Sequence, residues 1–247
     1  MTIRSLFFVV ASLALAGAAS ATDSAPPAVR AAVLKLAPHA DVSEIAKAPL
    51  PGFYQVLVGG RLVYVSADGT YVMDGHLFDA PAQRDLTEDS MDAIRRQALA
   101  AVPASHRIVF APPHPKYTVT VFTDLDCAYC RALHEHIAQF NKDGIAVEYL
   151  FWPRDGLVKI PSGRPTDSYA KSVSVWCSPD RKAEFTAAKA GKAIKPATCP
   201  NPVADEYHLG ERIGITGTPT IIAADGSILG GYLTPDQLLQ TLQALRR

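Results

Sequence analysis

The stretch Tyr117-Thr-Val-Thr-Val-Phe122-Thr-Asp-Leu-Asp-Cys127-Ala-Tyr-Cys130-Arg131-Ala-Leu-His-Glu-His-Ile-Ala-Gln-Phe140 decides how this chain is read. Tyr117–Phe122 is an apolar, β-branched run that predicts a strand. Arg131–Phe140 has helical spacing. Strand, tight turn with two thiols, then helix: this order places Cys127 at a helix N-terminus. Unpaired backbone N–H groups and the positive end of the helix dipole favour a thiolate there. The thiolate is the nucleophile of thiol–disulfide exchange. Cys130 follows one helical turn later, within reach to close a disulfide with Cys127. A C-x-x-C could instead be half of a zinc site, but zinc needs four ligands. Cys177 and Cys199 are too far apart to supply a second C-x-x-C, and His134 and His136 lack finger spacing. No metal is expected.

A second segment, Thr216-Gly-Thr218-Pro219-Thr220, precedes Ile221-Ile-Ala-Ala-Asp-Gly226. It resembles the cis-proline loop that thioredoxin-like proteins hold beside their C-x-x-C. An X–Pro bond is the one place where cis geometry is readily tolerated. The resemblance implies that the Thr218 backbone is offered to an extended substrate peptide next to Cys127.

Outward from these motifs, 247 residues fit one large or two modest domains. Lys and Arg number 24 and so do Asp and Glu, so no basic surplus argues for nucleic acid. Residues 1–21 read as a signal peptide: Arg4, an apolar run Leu6–Ala16, and Ala19-Ser-Ala21 as cleavage site. That run is short for a span of about 20 residues. The expected chain is exported, to a compartment where disulfides persist.

Residues 22–80 read as a small N-terminal domain. Ala25 to about Ala48 is expected to be helical, interrupted at Pro38. A β meander follows: Phe53–Val58, a Gly59-Gly60 turn, Arg61–Val65, an Asp68-Gly69 turn and Thr70–Met73, with a further strand at His76–Phe78. The unit carries no clustered catalytic residue types and too little core to stand alone, so it must pack on something. Its free edge suits pairing with an identical chain. Residues 81–105 read as a linker, with a helix over Leu86–Ala101 capped by Thr87 or Ser90 and bearing only a thin apolar stripe.

Residues 106–247 read as the catalytic domain. Ile108–Phe110 and Ile145–Trp152 are expected strands, the latter completing a βαβ unit with Tyr117–Phe122. A helical insertion spans about 155–210, with helices at Ser168–Trp176 and Pro179–Ala190. Cys177 and Cys199 are carried by the two ends of this insertion. In an exported protein they pair as a structural disulfide, the alternative being a second redox pair without the helix-start context. The last helix opens with Thr234, Pro235 and Gln237, and Leu238, Leu239, Leu242 and Leu245 are its expected buried face.

The whole pattern resembles periplasmic disulfide isomerases of the DsbC/DsbG type. The likeness rests on Val121-Phe-Thr-Asp124 before Cys127-Ala-Tyr-Cys130, on Leu133-His-Glu135, on Thr218-Pro219, and on the small β domain ahead of a linker helix. The extra Cys177–Cys199 pair makes it more similar to DsbC. The resemblance implies a thioredoxin-like α/β catalytic domain with a helical insertion, preceded by a β-meander dimerisation domain. It implies reduction and isomerisation of incorrect disulfides in exported proteins, chaperone-like binding and a homodimer. It also implies upkeep by a membrane thiol reductant of the DsbD type. The redox centre would be the Cys127–Cys130 pair with no added cofactor, and Thr218, Pro219 and Tyr129 would meet substrate. Two alternatives share these residues: a thiol oxidase of the DsbA class, and a non-enzymatic exported chaperone. Two features depart from the pattern: Ala-Tyr between the cysteines, and Asp126, whose charge is expected to oppose a low Cys127 pKa.

Overall fold

The computed structural model describes residues 25–245, so the signal-peptide segment 1–21 lies outside the described residues. The chain opens with α1 (Pro27–Leu36) and a four-stranded antiparallel meander in spatial order: β1 (Val42–Lys47), β2 (Phe53–Val58), β3 (Arg61–Ser66) and β4 (Val72–Asp74). The first strand corrects the expectation of helix up to Ala48. Val42 pairs with Val58 and Ile45 with Val56 across a bulge, so pairing with β2 wins over weak helical periodicity.

The meander has two used faces. Val56, Val63 and Val65 face Val29 and Val33 of α1. Their neighbours Leu57 and Leu62 point the other way, as alternation along a strand requires. That second face meets α2 (Leu86–Ala100) through Met91 and Ile94. The expected extra strand at His76–Phe78 is instead half of a small hairpin, β5 (Phe78–Asp79) with β6 (Arg84–Asp85). Asp85 ends that hairpin and caps α2, its carboxylate accepting from Thr87 and Glu88 N–H at 3.0 Å each. Thr87, expected as the cap, spends its hydroxyl on Tyr64 at 2.6 Å and on the Leu77 N–H at 2.8 Å.

Helix α2 is more than a thin-striped linker. Its far end places Leu99 in a cluster with Phe122, Leu150, Ile213 and Ile222 of the C-terminal half. Arg95, 3 % exposed, donates to the Gly226 carbonyl at 2.8 Å and to Asp92 at 2.7 Å, and also pairs with Glu88. Gly60, at φ +80°, lies against the Glu211 and Gly214 backbone, where a Cβ would collide. One stripe thus serves two cores.

Beyond a short 3₁₀ turn (Ala104–His106) come β7 (Ile108–Phe110), β8 (Tyr117–Thr123), α3 (Ala128–Glu135), α4 (Ile137–Lys142) and β9 (Ile145–Phe151). The single helix expected over Arg131–Phe140 is broken at His136, where backbone φ/ψ is −90°/7°. Then follow the hairpin β10 (Val158–Lys159) and β11 (Arg164–Pro165), α5 (Asp167–Trp176), α6 (Arg181–Lys189) and α7 (Val203–Arg212). The hairpin was not expected; only two residue pairs form it. The chain closes with β12 (Thr220–Ala223), β13 (Ile228–Gly230) and α8 (Pro235–Ala244).

The central sheet runs β13-β12-β8-β9-β7. Only β8 and β9 are parallel, as the βαβ reading requires. Its core holds Val119, Val121, Leu133, Phe140, Val147, Tyr149, Phe185 and Ile221, all buried. Thr234 and Gln237 form the capping box of α8. Leu238 and Leu242 are buried, whereas Leu245 is exposed, because it has passed the last helical turn.

Candidate active site

Strand β8 carries the chain to Thr123 and Asp124, and four residues later α3 begins with Cys127 as its N-cap. The Asp124 carboxylate, 1 % exposed, shapes that turn. It accepts from the Asp126 N–H at 2.6 Å, the Arg154 N–H at 2.7 Å and the Ser168 hydroxyl at 2.6 Å. One buried charge with three donors therefore ties the cysteine turn to the end of β9 and the start of α5. The sequence marked Asp124 only as part of a motif; nothing local revealed this role.

The Cys127 sulfur accepts from the Cys130 N–H at 3.4 Å, the contact of a helix N-cap. It also donates to the Thr218 carbonyl at 3.2 Å. Antiparallel pairing of Phe122 with Thr220 brings that loop alongside, and the Thr218–Pro219 bond is cis. The structure thus gathers Cys127, Cys130, Thr218 and Pro219 at one point. The Thr218 hydroxyl, buried and without a well-aligned partner, faces both sulfurs and favours the thiolate at each. Tyr129, 67 % exposed, stands over the site with its ring 6.2 Å from Tyr232. Tyr232 in turn meets His136 Nε2 at 3.2 Å. Tyr232 is distant in sequence, and no spacing links it to the C-x-x-C.

Exposure does not separate the two thiols, since both cysteines are almost fully covered. Electrostatics does. Burial pushes Cys127 up, but the Cys130 side chain and backbone N–H, the Thr218 side chain and the Arg154 charge together outweigh it, and the thiol falls below its ordinary value. Burial dominates at Cys130 and raises it, despite the Lys189 charge, the Asp124 backbone and the Thr123 hydroxyl. Cys127 lies below its ordinary value with Asp126 beside it in sequence. The Asp126 carboxylate is held by Lys171 Nζ at 2.7 and 2.9 Å and by Arg131 at 3.4 Å.

Cys177 and Cys199 lie in a separate place and are joined by a disulfide of 2.05 Å. Their segment, through α6, supports the site from behind. Thr186 bonds His134 Nε2 at 3.0 Å, and Lys189 reaches Thr123. Burial, with the Lys189 charge second, pushes His134 down to about 4.

A five-stranded sheet with one parallel pair, a C-x-x-C at a helix start and a facing cis-proline define a thioredoxin-like thiol–disulfide oxidoreductase. Family models agree with both halves: a thioredoxin-like domain over residues 105–246 and a disulfide bond isomerase protein N-terminal domain over 17–88. The thiol:disulfide interchange protein DsbC of Dickeya dadantii is 32 % identical over 98 % of this chain and 95 % of that protein. DsbC of Salmonella typhimurium is 32 % identical over 95 % and 93 %, and that of Escherichia coli K12 over 81 % and 80 %. A disulfide interchange protein from Neisseria gonorrhoeae superposes with a TM-score of 0.49 at 28 % identity, over 58 % of this chain and 97 % of that one. The chain belongs to the DsbC family, and it is an enzyme of thiol–disulfide exchange with disulfide isomerase function.

Proposed function

We propose that Cys127 is the attacking thiol and Cys130 the resolving thiol, with no added cofactor. What supports this is the opposite displacement of two adjacent thiols, Cys127 down and Cys130 up. The Cys127 thiolate attacks a substrate disulfide, forming a mixed disulfide and releasing one substrate thiolate. A substrate thiolate can then attack the substrate sulfur of that bond, which rearranges the disulfide and returns Cys127 with no net redox change. Alternatively Cys130 attacks Cys127, closing their disulfide and releasing reduced substrate. Substrate backbone would lie along Thr218–Pro219, with apolar side chains on Tyr129.

The enzyme would act on misfolded disulfide-containing proteins in the periplasm, bind them in a chaperone-like manner, and be returned to its dithiol form by a membrane reductant of the DsbD type. Among the described residues no helix is long and apolar enough to cross a membrane. The chain would pair with a second copy through its meander. Supporting this are the outer position of β4 in its sheet and the exposure of Tyr71 and Met73 there. Two copies would hold a captured chain between two Cys127 sites, raising their effective concentration.

The test is refolding of a scrambled multi-disulfide substrate by catalytic amounts of the full-length dithiol protein. Native disulfides should accumulate faster than with a small thiol alone. Sedimentation should give a dimer, and Met73→Asp should shift it toward monomer with loss of isomerisation. If the oxidised form acts on reduced substrate and the dithiol form does not act on scrambled substrate, the protein is an oxidase.

A further inference from the structure

A buried amine lies behind the resolving thiol. Lys189 closes α6, and its side chain turns inward until only 4 % remains exposed. Lysine is rarely this buried without a paired charge. Its Nζ instead donates to the Thr123 hydroxyl at 2.7 Å and the Asp124 carbonyl at 2.9 Å, and stands 5.1 Å from the Phe185 ring. Thr123 is itself fully buried, and its hydroxyl favours the thiolate of Cys130, which is equally buried. Sulfur, hydroxyl and amine therefore form a chain closed to water.

Several charged groups face this amine. Asp124 does so from the end of β8, and Cys127, Cys130 and Arg131 from the start of α3. His134 senses the amine from further along α3, and Tyr149 lies behind Cys130 on β9. On α5, Asp167 and Lys171 are engaged at the surface with Lys159 and Asp126.

We propose that Lys189 is the proton acceptor for the resolving thiol, working through the Thr123 hydroxyl. The proposal rests on Cys127 as attacking and Cys130 as resolving thiol. In the mixed disulfide, Cys130 Sγ attacks Cys127 Sγ. The bond between Cys127 and the substrate sulfur breaks, and the substrate leaves as a thiolate with the electron pair. The two protein sulfurs are oxidised together and the substrate is reduced. The Cys130 proton passes to Thr123 Oγ1, whose own proton passes to the neutral amine, leaving an ammonium. Re-reduction of the Cys127–Cys130 disulfide by a dithiol returns the proton to Cys130. Lys189 touches no substrate atom, so it is a positioning residue for this proton.

Burial pushes the Lys189 amine down to about 8, against the pull of the neighbouring cysteines and Asp124, so the amine is mostly charged at neutral pH with a neutral fraction on the order of a tenth that grows toward pH 8. Cys130, raised by its own burial, is a poor nucleophile without a base. Lys189 would thereby set how long a substrate stays bound to Cys127 before it is released reduced, and so how much time it has to rearrange.

The experiment is single-turnover reaction of the full-length dithiol protein with a disulfide peptide, quenched in acid and scored for mixed disulfide across pH. Release in the unaltered protein should inflect near the Lys189 value. Lys189→Met should slow release at neutral pH on the order of tenfold or more, with the inflection displaced to alkaline pH. Thr123→Val, which keeps the amine and removes the link, should do the same. Lys189→Arg keeps the charge but cannot take up a proton, and it should also be slow. Recovery of normal release with Arg, or an unchanged profile in Thr123→Val, overturns the proposal. If Lys189→Met does not fold, the other two variants decide. Should Cys130→Ser release substrate as fast as the unaltered protein, it is the assignment of the resolving thiol that fails.

Discussion

The two cysteine pairs sit in one domain and have opposite surroundings. Cys127 caps the N-terminus of α3, whereas Cys177 caps the C-terminus of α5. A helix N-terminus favours an anion and a C-terminus disfavours one. The first pair is covered by the cis-proline loop and set among Thr218, Arg154 and Lys189. The second has one member packed on the core and the other, Cys199, at the surface in an irregular segment. Thiolate stability is what separates a reacting pair from a fastening pair. The two are also linked, because the segment closed by Cys177 and Cys199 carries α6, whose Thr186 and Lys189 support the catalytic turn.

The strongest way to break this contrast is to exchange the sulfurs. Cys127→Ser should reduce exchange to background, while Cys130→Ser should leave the first attack intact and accumulate mixed disulfides. Non-reducing electrophoresis after acid quench checks both. If Cys130 alkylates faster than Cys127 in the dithiol protein, the roles are reversed.

Replacing Cys177 and Cys199 together by Ala should cost about 3 kcal/mol of stability on the chain-entropy model for a separation of 22 residues. Denaturant unfolding reads that loss. Isomerase turnover should persist wherever the variant is folded, and loss of turnover without loss of stability would make this pair a second redox centre.

The contact between α6 and the catalytic helix should respond to acid. His134 titrates at about 4 in the folded chain, against an ordinary histidine value of 6.5 once the chain is unfolded. Above about 6.5 it is neutral in both states. As pH falls from about 6.5 toward about 4, the unfolded chain takes up the proton and the folded chain does not, so stability is lost across that window. The loss is up to about 3 kcal/mol. His134→Gln should flatten the dependence in urea unfolding measured across those pH values.

The smallest expected effect is at Asp126. Its carboxylate is already held by Lys171 and Arg131 at the surface, and such pairs contribute less than about 1 kcal/mol. Asp126→Asn should therefore change the alkylation rate of Cys127 by less than about threefold. A tenfold gain would restore the sequence-level expectation that this charge opposes the thiolate.

Much of the site was legible because its parts are local. Cys127 and Cys130 share one helical turn, and a strand ending just before a helix start reads directly from periodicity and turn residues. The cis-proline loop was found through resemblance, and β8–β12 pairing put it where the resemblance implied. The departures from expectation are also local. Val42–Lys47 has no decisive periodicity and became a strand because β2 was there to pair with it. Asp85 displaced Thr87 as a cap once Tyr64 claimed the threonine hydroxyl.

By itself the sequence determined the strand–C-x-x-C–helix unit and the family, since each is written in short-range spacing or in motif combination. Only the tertiary structure decided which buried polar groups serve the thiols. Asp124 and Lys189 reach the turn from just past β8 and from the end of α6. Their roles depend on distance and dehydration, and a charge becomes a tuning group only when packing removes the water around it. No spacing along the chain from Thr123 to Lys189 could foretell that contact, because it is made by the fold of everything between them.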